Sequence, residues 1–181
     1  MRITNSLRRR LHHRILKKKF NTAKIFSKIM PDEAKTIAVI FDATKVETRK
    51  TIETFVQKLR NKGKRVTLFA FFNGKEKPSL AFNFFNKKEV NWYGIPKGET
   101  VNKFLNETFD LLYCLFNGEH LPLEYIGAMT QSHFKVGPYT DDLIRYDLMI
   151  DTENIDLQDF IHNIEFYLTK IGKSKNELST V

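Results

Sequence analysis

The sequence predicts an α/β protein, with a single doubly wound, mostly parallel sheet of Rossmann-like or flavodoxin-like type carrying a basic helix at its N-terminus. Three observations predict it. Apolar runs such as Thr36-Ile-Ala-Val-Ile-Phe-Asp42 are continuous rather than alternating, as strands buried on both faces require. Segments with helical spacing separate those runs, and alternation of this kind is the mark of βαβ units. Charge divides sharply along the chain: residues 1 to 29 hold ten Lys/Arg and no Asp or Glu, whereas the other 152 hold 20 basic and 21 acidic residues. A near-neutral domain therefore carries a cationic arm.

At 181 residues with 41% apolar content and 16 Phe, the chain can bury one sizeable core. The expected organisation is an amphipathic helical arm over 1–30, an α/β domain over 36–172 and a polar tail over 173–181. One cysteine, Cys114, excludes a disulfide framework within the chain, and its place in an apolar run predicts a buried thiol. No apolar run approaches the ~20 residues of a spanning helix. A soluble, cytoplasmic protein is expected.

The arm repeats Ile3, Leu7, Leu11 and Ile15 every four residues, with Leu16, Phe20, Ala23 and Phe26 continuing the stripe. Arg8, Arg9, Arg10, Arg14, Lys17, Lys18 and Lys19 fall mostly outside it. Such a helix suits nucleic-acid phosphates, an anionic membrane, or its own domain with the charge left in water; an Arg-rich, acid-poor transit peptide reads similarly. Uncompensated like charges favour a polyanionic partner.

Thr36 to Asp42 is the first strand. Thr44 and Glu47 have capping-box spacing for a helix with Ile52, Phe55, Val56 and Leu59 on one face, closed at Gly63. Arg65 to Phe72 completes a βαβ unit. Leu80 to Phe85 fits a short helix or an edge strand equally, and Val90 to Ile95 reads as a short strand. Lys87, Lys88 and Trp92 interleave base and aromatic there. A helix is expected from Thr100 to Phe109, a strand over Leu111 to Phe116, a helix over Leu121 to Gln131, strands over His133 to Gly137 and Tyr146 to Asp151, and a last helix from Asp156, its cap, to Ile171, ended by Gly172. The total is five or six strands and about four helices.

Ligands in such folds sit beyond the carboxyl ends of the strands. The residues there are Asp42 and Thr44, Asn73, Asn117-Gly118 and Asp151; Asp42, Thr44, Asn117 and Lys135 are the candidate ligand-binding set. Ile-Phe-Asp42-Ala-Thr44 superficially resembles the nucleophile motif of haloacid-dehalogenase-like phosphatases, but the motif's second Asp falls on Thr44, and shaping the entry to a helix is the more ordinary role. Glycine-rich phosphate loops and a nucleophile elbow are missing. The five His lack metal-ligand spacing, so neither a metal nor a cofactor is expected, and no catalytic residue is assigned. Asp141-Asp142 with Arg145 fits a ligand loop or an internal ion pair.

The segments Asp110-Leu-Leu, Leu121-Pro-Leu-Glu-Tyr-Ile-Gly-Ala, Ser132-His-Phe-Lys-Val-Gly137 and Tyr146-Asp-Leu-Met-Ile150 together resemble a family of short bacterial proteins known only as a domain of unknown function, with a basic N-terminal segment and one α/β domain. That resemblance implies the fold over most of the chain and no activity. A looser similarity, to glycosyltransferases with two Rossmann domains, rests on the helix followed by Val136-Gly137; this chain is too short for two such domains. The expected role is non-enzymatic: docking on RNA, ribosomal RNA first, through the cationic helix. A small-molecule site at the strand ends and attachment to an anionic membrane are the alternatives.

Overall fold

The computed structural model describes residues 2–20, 29–74, 81–141 and 146–178, with side chains over 6–18, 29–74, 81–141 and 146–172. In chain order the elements are α1 (Arg2–Phe20), β1 (Thr36–Asp42), α2 (Val46–Asn61), β2 (Arg65–Phe72), β3 (Asn83–Asn86), a 3-10 turn (Lys87–Glu89), α3 (Glu99–Leu105), β4 (Thr108–Leu115), α4 (Leu121–Met129), β5 (Gln131–Pro138), β6 (Leu148–Ile150) and α5 (Leu157–Leu178). The six strands form one sheet in the order β3-β2-β1-β4-β5-β6, and every pair is parallel.

Continuous hydrophobicity in β1 becomes burial on both faces, because alternate side chains enter different layers. Ile37, Val39 and Phe41 join Leu111, Tyr113 and Leu115 under α2 and α5. Ala38 and Ile40 join Leu112 and Cys114 under α3, α4 and α1. Phe55 meets Tyr113 edge-on at 5.2 Å, and the Tyr113 hydroxyl donates to Glu165 at 2.8 Å. On the other face Phe69 stacks on Phe104 at 4.3 Å. The abundant phenylalanines are thus largely core, each buried ring contributing about 1.5–3 kcal/mol relative to exposure.

β1 is the centre of the winding. It pairs with β2 up to Asp42↔Phe71 and with β4 up to Phe41↔Leu115. The chain winds outward to β2 and β3 on one side, then crosses to β4, β5 and β6 on the other. The connections leaving β1 and β4 therefore diverge, and a crevice opens beyond their carboxyl ends. At the opposite edge the Asp110 carboxylate accepts the backbone N–H groups of Lys35 at 2.7 Å and Thr36 at 2.8 Å, while the Thr36 hydroxyl accepts the N–H of Asp110 at 3.0 Å.

Several local expectations are corrected. The Thr44–Glu47 capping box does not form: α2 starts after Lys45 with no side-chain cap, because the Thr44 hydroxyl accepts the N–H of Asn73 instead, at 3.2 Å. The ambiguous aromatic segment supplies an edge strand, β3, parallel to β2. Val90 to Ile95 is not a strand; Val90 makes one antiparallel bridge to Pro96 around a turn at Gly94, where φ is +85°. The helix expected to reach Phe109 stops at Leu105, since Thr108 already begins β4. Gly172 does not end α5, which runs on to Leu178; it lies at a close approach, where an added Cβ would come within 3.2 Å of Asp32 Cγ. Gly63, at φ +75°, closes α2 as expected, and Asp156 accepts the N–H of Asp159 at 2.8 Å to cap α5.

Candidate functional site

Helix α1 packs on the α/β domain. Arg8, His12 and Leu16 recur at four-residue spacing on one face of α1, and that face turns towards α4 and the loop before α3. Leu16 is 3% exposed and His12 fully buried; Leu11 and Ile15 flank them half-buried. The His12 Nδ1–H donates to the Tyr93 carbonyl at 2.9 Å, leaving Nε2 as a buried acceptor without a partner. Burial pushes the His12 pKa down to about 4, against the opposing pull of the Tyr93 bond. The buried face is thus centred on a histidine, rotated from the apolar stripe read in the sequence: Leu7, on that stripe, is 51% exposed. Ile3, Phe20, Ala23, Phe26 and the side chain of Lys19 lie outside the described residues.

Docking in this way sorts the cations. Arg10, Arg14, Lys17 and Lys18 are exposed on the far side of α1. Arg9 reaches Glu119 at 3.7 Å. Arg8 is turned inward over the crevice, half-buried, with its Nε out of water and without a hydrogen-bond partner.

Within the crevice the loops leaving β1, β2 and β4 converge. Asp42 Oδ1 accepts the N–H of Thr44 at 2.8 Å, and Asp42 Oδ2 faces His120 Nε2 at 3.5 Å. Burial raises the Asp42 carboxyl, but the bonds from His120 and Thr44 outweigh it and the net shift is downward. His120 caps α4: its Nδ1 accepts the N–H of Leu123 at 3.3 Å, and its own N–H donates to Glu124 at 2.9 Å. Accepting at Nδ1 fixes the proton on Nε2, towards Asp42. Both ring nitrogens are engaged, which makes the pair a positioning device rather than a free general base. Arg49 donates to the carbonyls of Ala43 at 2.5 Å and Thr44 at 3.2 Å, pinning the first loop.

Beside this pair lies a cavity of about 370 Å³, bounded by Arg8 from the arm, Phe71 and Asn73 from the end of β2, Lys87, and His120 and Leu121 at the start of α4. Of the four ligand candidates, the crevice brings together Asp42 and Thr44. Asn117 is exposed at the end of β4 and leans away, donating to the Ile155 carbonyl at 3.4 Å. Lys135 is placed elsewhere: in mid-strand, in register with Leu112, its ammonium donates to the carbonyls of Gly127 and Ala128 at 3.0 and 3.1 Å and so caps the far end of α4. Burial pushes that ammonium down to about 8. Cys114, beneath α4, is raised by burial to about 12 and is a packed thiol. Asp142 and Arg145 lie outside the described residues, among which no group of three or more His, Cys, Asp or Glu is gathered to hold a metal.

Sequence reasoning missed His120 and the inward turn of Arg8. The one signal for His120 was its place two residues before Pro122, a residue tolerated in a helix's first turn. Nothing in the sequence distinguishes Arg8 from Arg9 or Arg10.

The family model described as "Family of unknown function (DUF6913)" matches residues 5–171, and the chain belongs to that family. Neither the curated proteins nor the solved structures include a match to it.

Proposed function

We propose that this member of a family of unknown function is a non-enzymatic accessory protein that docks on RNA through the outer face of α1, with ribosomal RNA the first candidate. One observation carries the reading: α1 is held to its domain by His12 and Leu16 while Arg10, Arg14, Lys17 and Lys18 remain exposed. A helix rises ~1.5 Å per residue, so these four cations form a stripe about 12 Å long on a rigid support. Preorganised cations lose less side-chain and backbone freedom on meeting phosphates than a disordered basic tail does. With no acidic residue among positions 1 to 29, the helix offers the stripe no internal counter-charge.

The same geometry weighs against membrane insertion. Leu11 and Ile15 are half-buried against the domain, so among the described residues of the apolar stripe only Leu7 is exposed on the docked helix. Insertion of the Leu7, Leu11 and Ile15 edge would require α1 to leave its site and expose Leu16.

Binding to total RNA, measured against salt for the full chain and for an Arg10→Ser, Arg14→Ser, Lys17→Ser, Lys18→Ser variant, tests the proposal. Removing the whole arm is the poorer comparison, because it strips buried Leu16 from the core. Each lost phosphate contact lowers the magnitude of the log–log salt slope by about 0.7 on single strands, so the variant's slope is expected to fall by about 3. Equal affinity and slope for the two proteins would overturn the reading. So would retention by anionic vesicles with no retention by RNA.

A further inference from the structure

We infer that the cavity beside Asp42 and His120 is a binding site for a small phosphomonoester with a flat apolar body, and that α1 supplies one wall of it through Arg8. Two independent observations lead there. The first is topological: strand order β3-β2-β1-β4-β5-β6 places the winding reversal between β1 and β4, and the cavity lies beyond the carboxyl ends around that reversal, where open α/β sheets hold ligands. The second is a cation without a counter-charge. Arg8 stands in line with His12 and Leu16 on the docked face and borders the cavity half-buried, and among the described residues no carboxylate pairs with it. A partly desolvated guanidinium group is stabilised by an anion brought beside it. The cavity is the space from which an anion approaches Arg8.

The other boundaries fix the ligand's chemistry. Lys87 adds a second cation, and Asn73 brings an amide that can donate or accept. Glu119 also borders the cavity, but Arg9 at 3.7 Å offsets its charge, so the remaining balance is positive. Phe71 and Leu121 are apolar surfaces fit to cover a ring. His120 is locked by Leu123 on one side and Asp42 on the other, which gives the site a rigid floor. The absence of glycine between Asp42 and α2 denies a diphosphate the close backbone approach that dinucleotide folds use. A single phosphate held by side chains fits what remains. This site is separate from the outer stripe of α1, because Arg8 faces inward and Arg10, Arg14 and Lys17 face outward.

Phenyl phosphate is the probe, with inorganic phosphate and phenol as its two halves, titrated to 20 mM into the full chain and followed by amide resonances. Saturable shifts at Phe71, Asn73 and His120 are expected with phenyl phosphate, with at least tenfold weaker binding by either half. Arg8→Gln is expected to weaken phenyl phosphate tenfold or more, while the quadruple serine variant of the outer stripe binds it within twofold of the parent. Three results would overturn the proposal: no saturable shift at these positions, shifts confined to residues 10 to 18, or an Arg8→Gln protein that folds with native resonances and binds equally well. Unchanged RNA binding in the quadruple variant, the result that overturns the RNA reading, leaves this test untouched, so the two proposals stand or fall separately.

Discussion

Acid should release the arm. The His12 Nδ1–H is committed to the Tyr93 carbonyl, so a second proton must enter at Nε2, which is buried and faces no acceptor. Arg8 and His13, its neighbours on α1, add like charge, and the nearest carboxylate on α4, Glu124, lies opposite His13 rather than His12, at 4.0 Å. The docked pKa is about 4 against 6.5 in water. Because the docked value is the lower one, docking is unpenalised above pH 6.5 and loses stability as pH falls from 6.5 to 4. The loss is about 2 kcal/mol at pH 5 and about 3 kcal/mol once pH is below 4. Hydrogen exchange of residues 8–18, corrected for intrinsic rates, should show protection about 30-fold lower at pH 5.0 than at pH 7.5, with α2 as the internal reference. A His13→Gln background keeps the adjacent imidazole out of the comparison. His12→Leu, which cannot titrate, should abolish the difference. Equal protection at the two pH values, or the same loss in His12→Leu, would refute the reasoning.

Three further outcomes follow from packing and charge. Asp110→Ala leaves the N–H groups of Lys35 and Thr36 without their carboxylate, and chemical denaturation should show a loss of about 1–3 kcal/mol, towards the lower end where water reaches the site. Burial raises the Asp110 carboxyl but its bonds to Thr36 and Lys35 outweigh that and lower it; with Asp42 shifted the same way, both contribute stability that is present above about pH 4 and lost below it. A stability profile flat from pH 5 down to 2.5 would contradict this. Gly137→Ala places a Cβ 2.6 to 3.0 Å from the Tyr146 ring, an overpacking worth about 1–3 kcal/mol of destabilisation; unchanged stability would mean the ring moves freely, and a second change of Tyr146 to Val should recover part of the loss.

Local hydrophobic pattern was enough for the layers. Continuous runs at Thr36–Asp42 and in β4 have only one economical burial, inside a parallel sheet covered on both faces, because backbone pairing and side-chain burial are both satisfied there. The gathering of charge at the N-terminus was equally plain. Element ends were less legible: Thr44 had two partners within reach, Glu47 in sequence and Asn73 in space, and the contact distant in sequence won. Gly172 looked like a stop signal, and became instead a place where α5 approaches Asp32.

Long-range packing alone sets which face of α1 turns inward and what the crevice contains. A stripe read by hydropathy ran through Leu7, yet the surface offered by Tyr93 and α4 carries a carbonyl as well as apolar groups, so the helix rotates to bury His12 beside Leu16. That rotation, set by a partner 81 residues away, separates Arg8 from Arg10 and Arg14. Strand order is likewise a product of long-range pairing: it places His120 against Asp42, which no local spacing encodes. Lys135 shows the converse, since its distance from the strand ends depends on register with β4 and its charge serves the carbonyls of α4. Local sequence fixes periodicity and net charge, whereas the direction in which a charge points depends on which surface its element packs against.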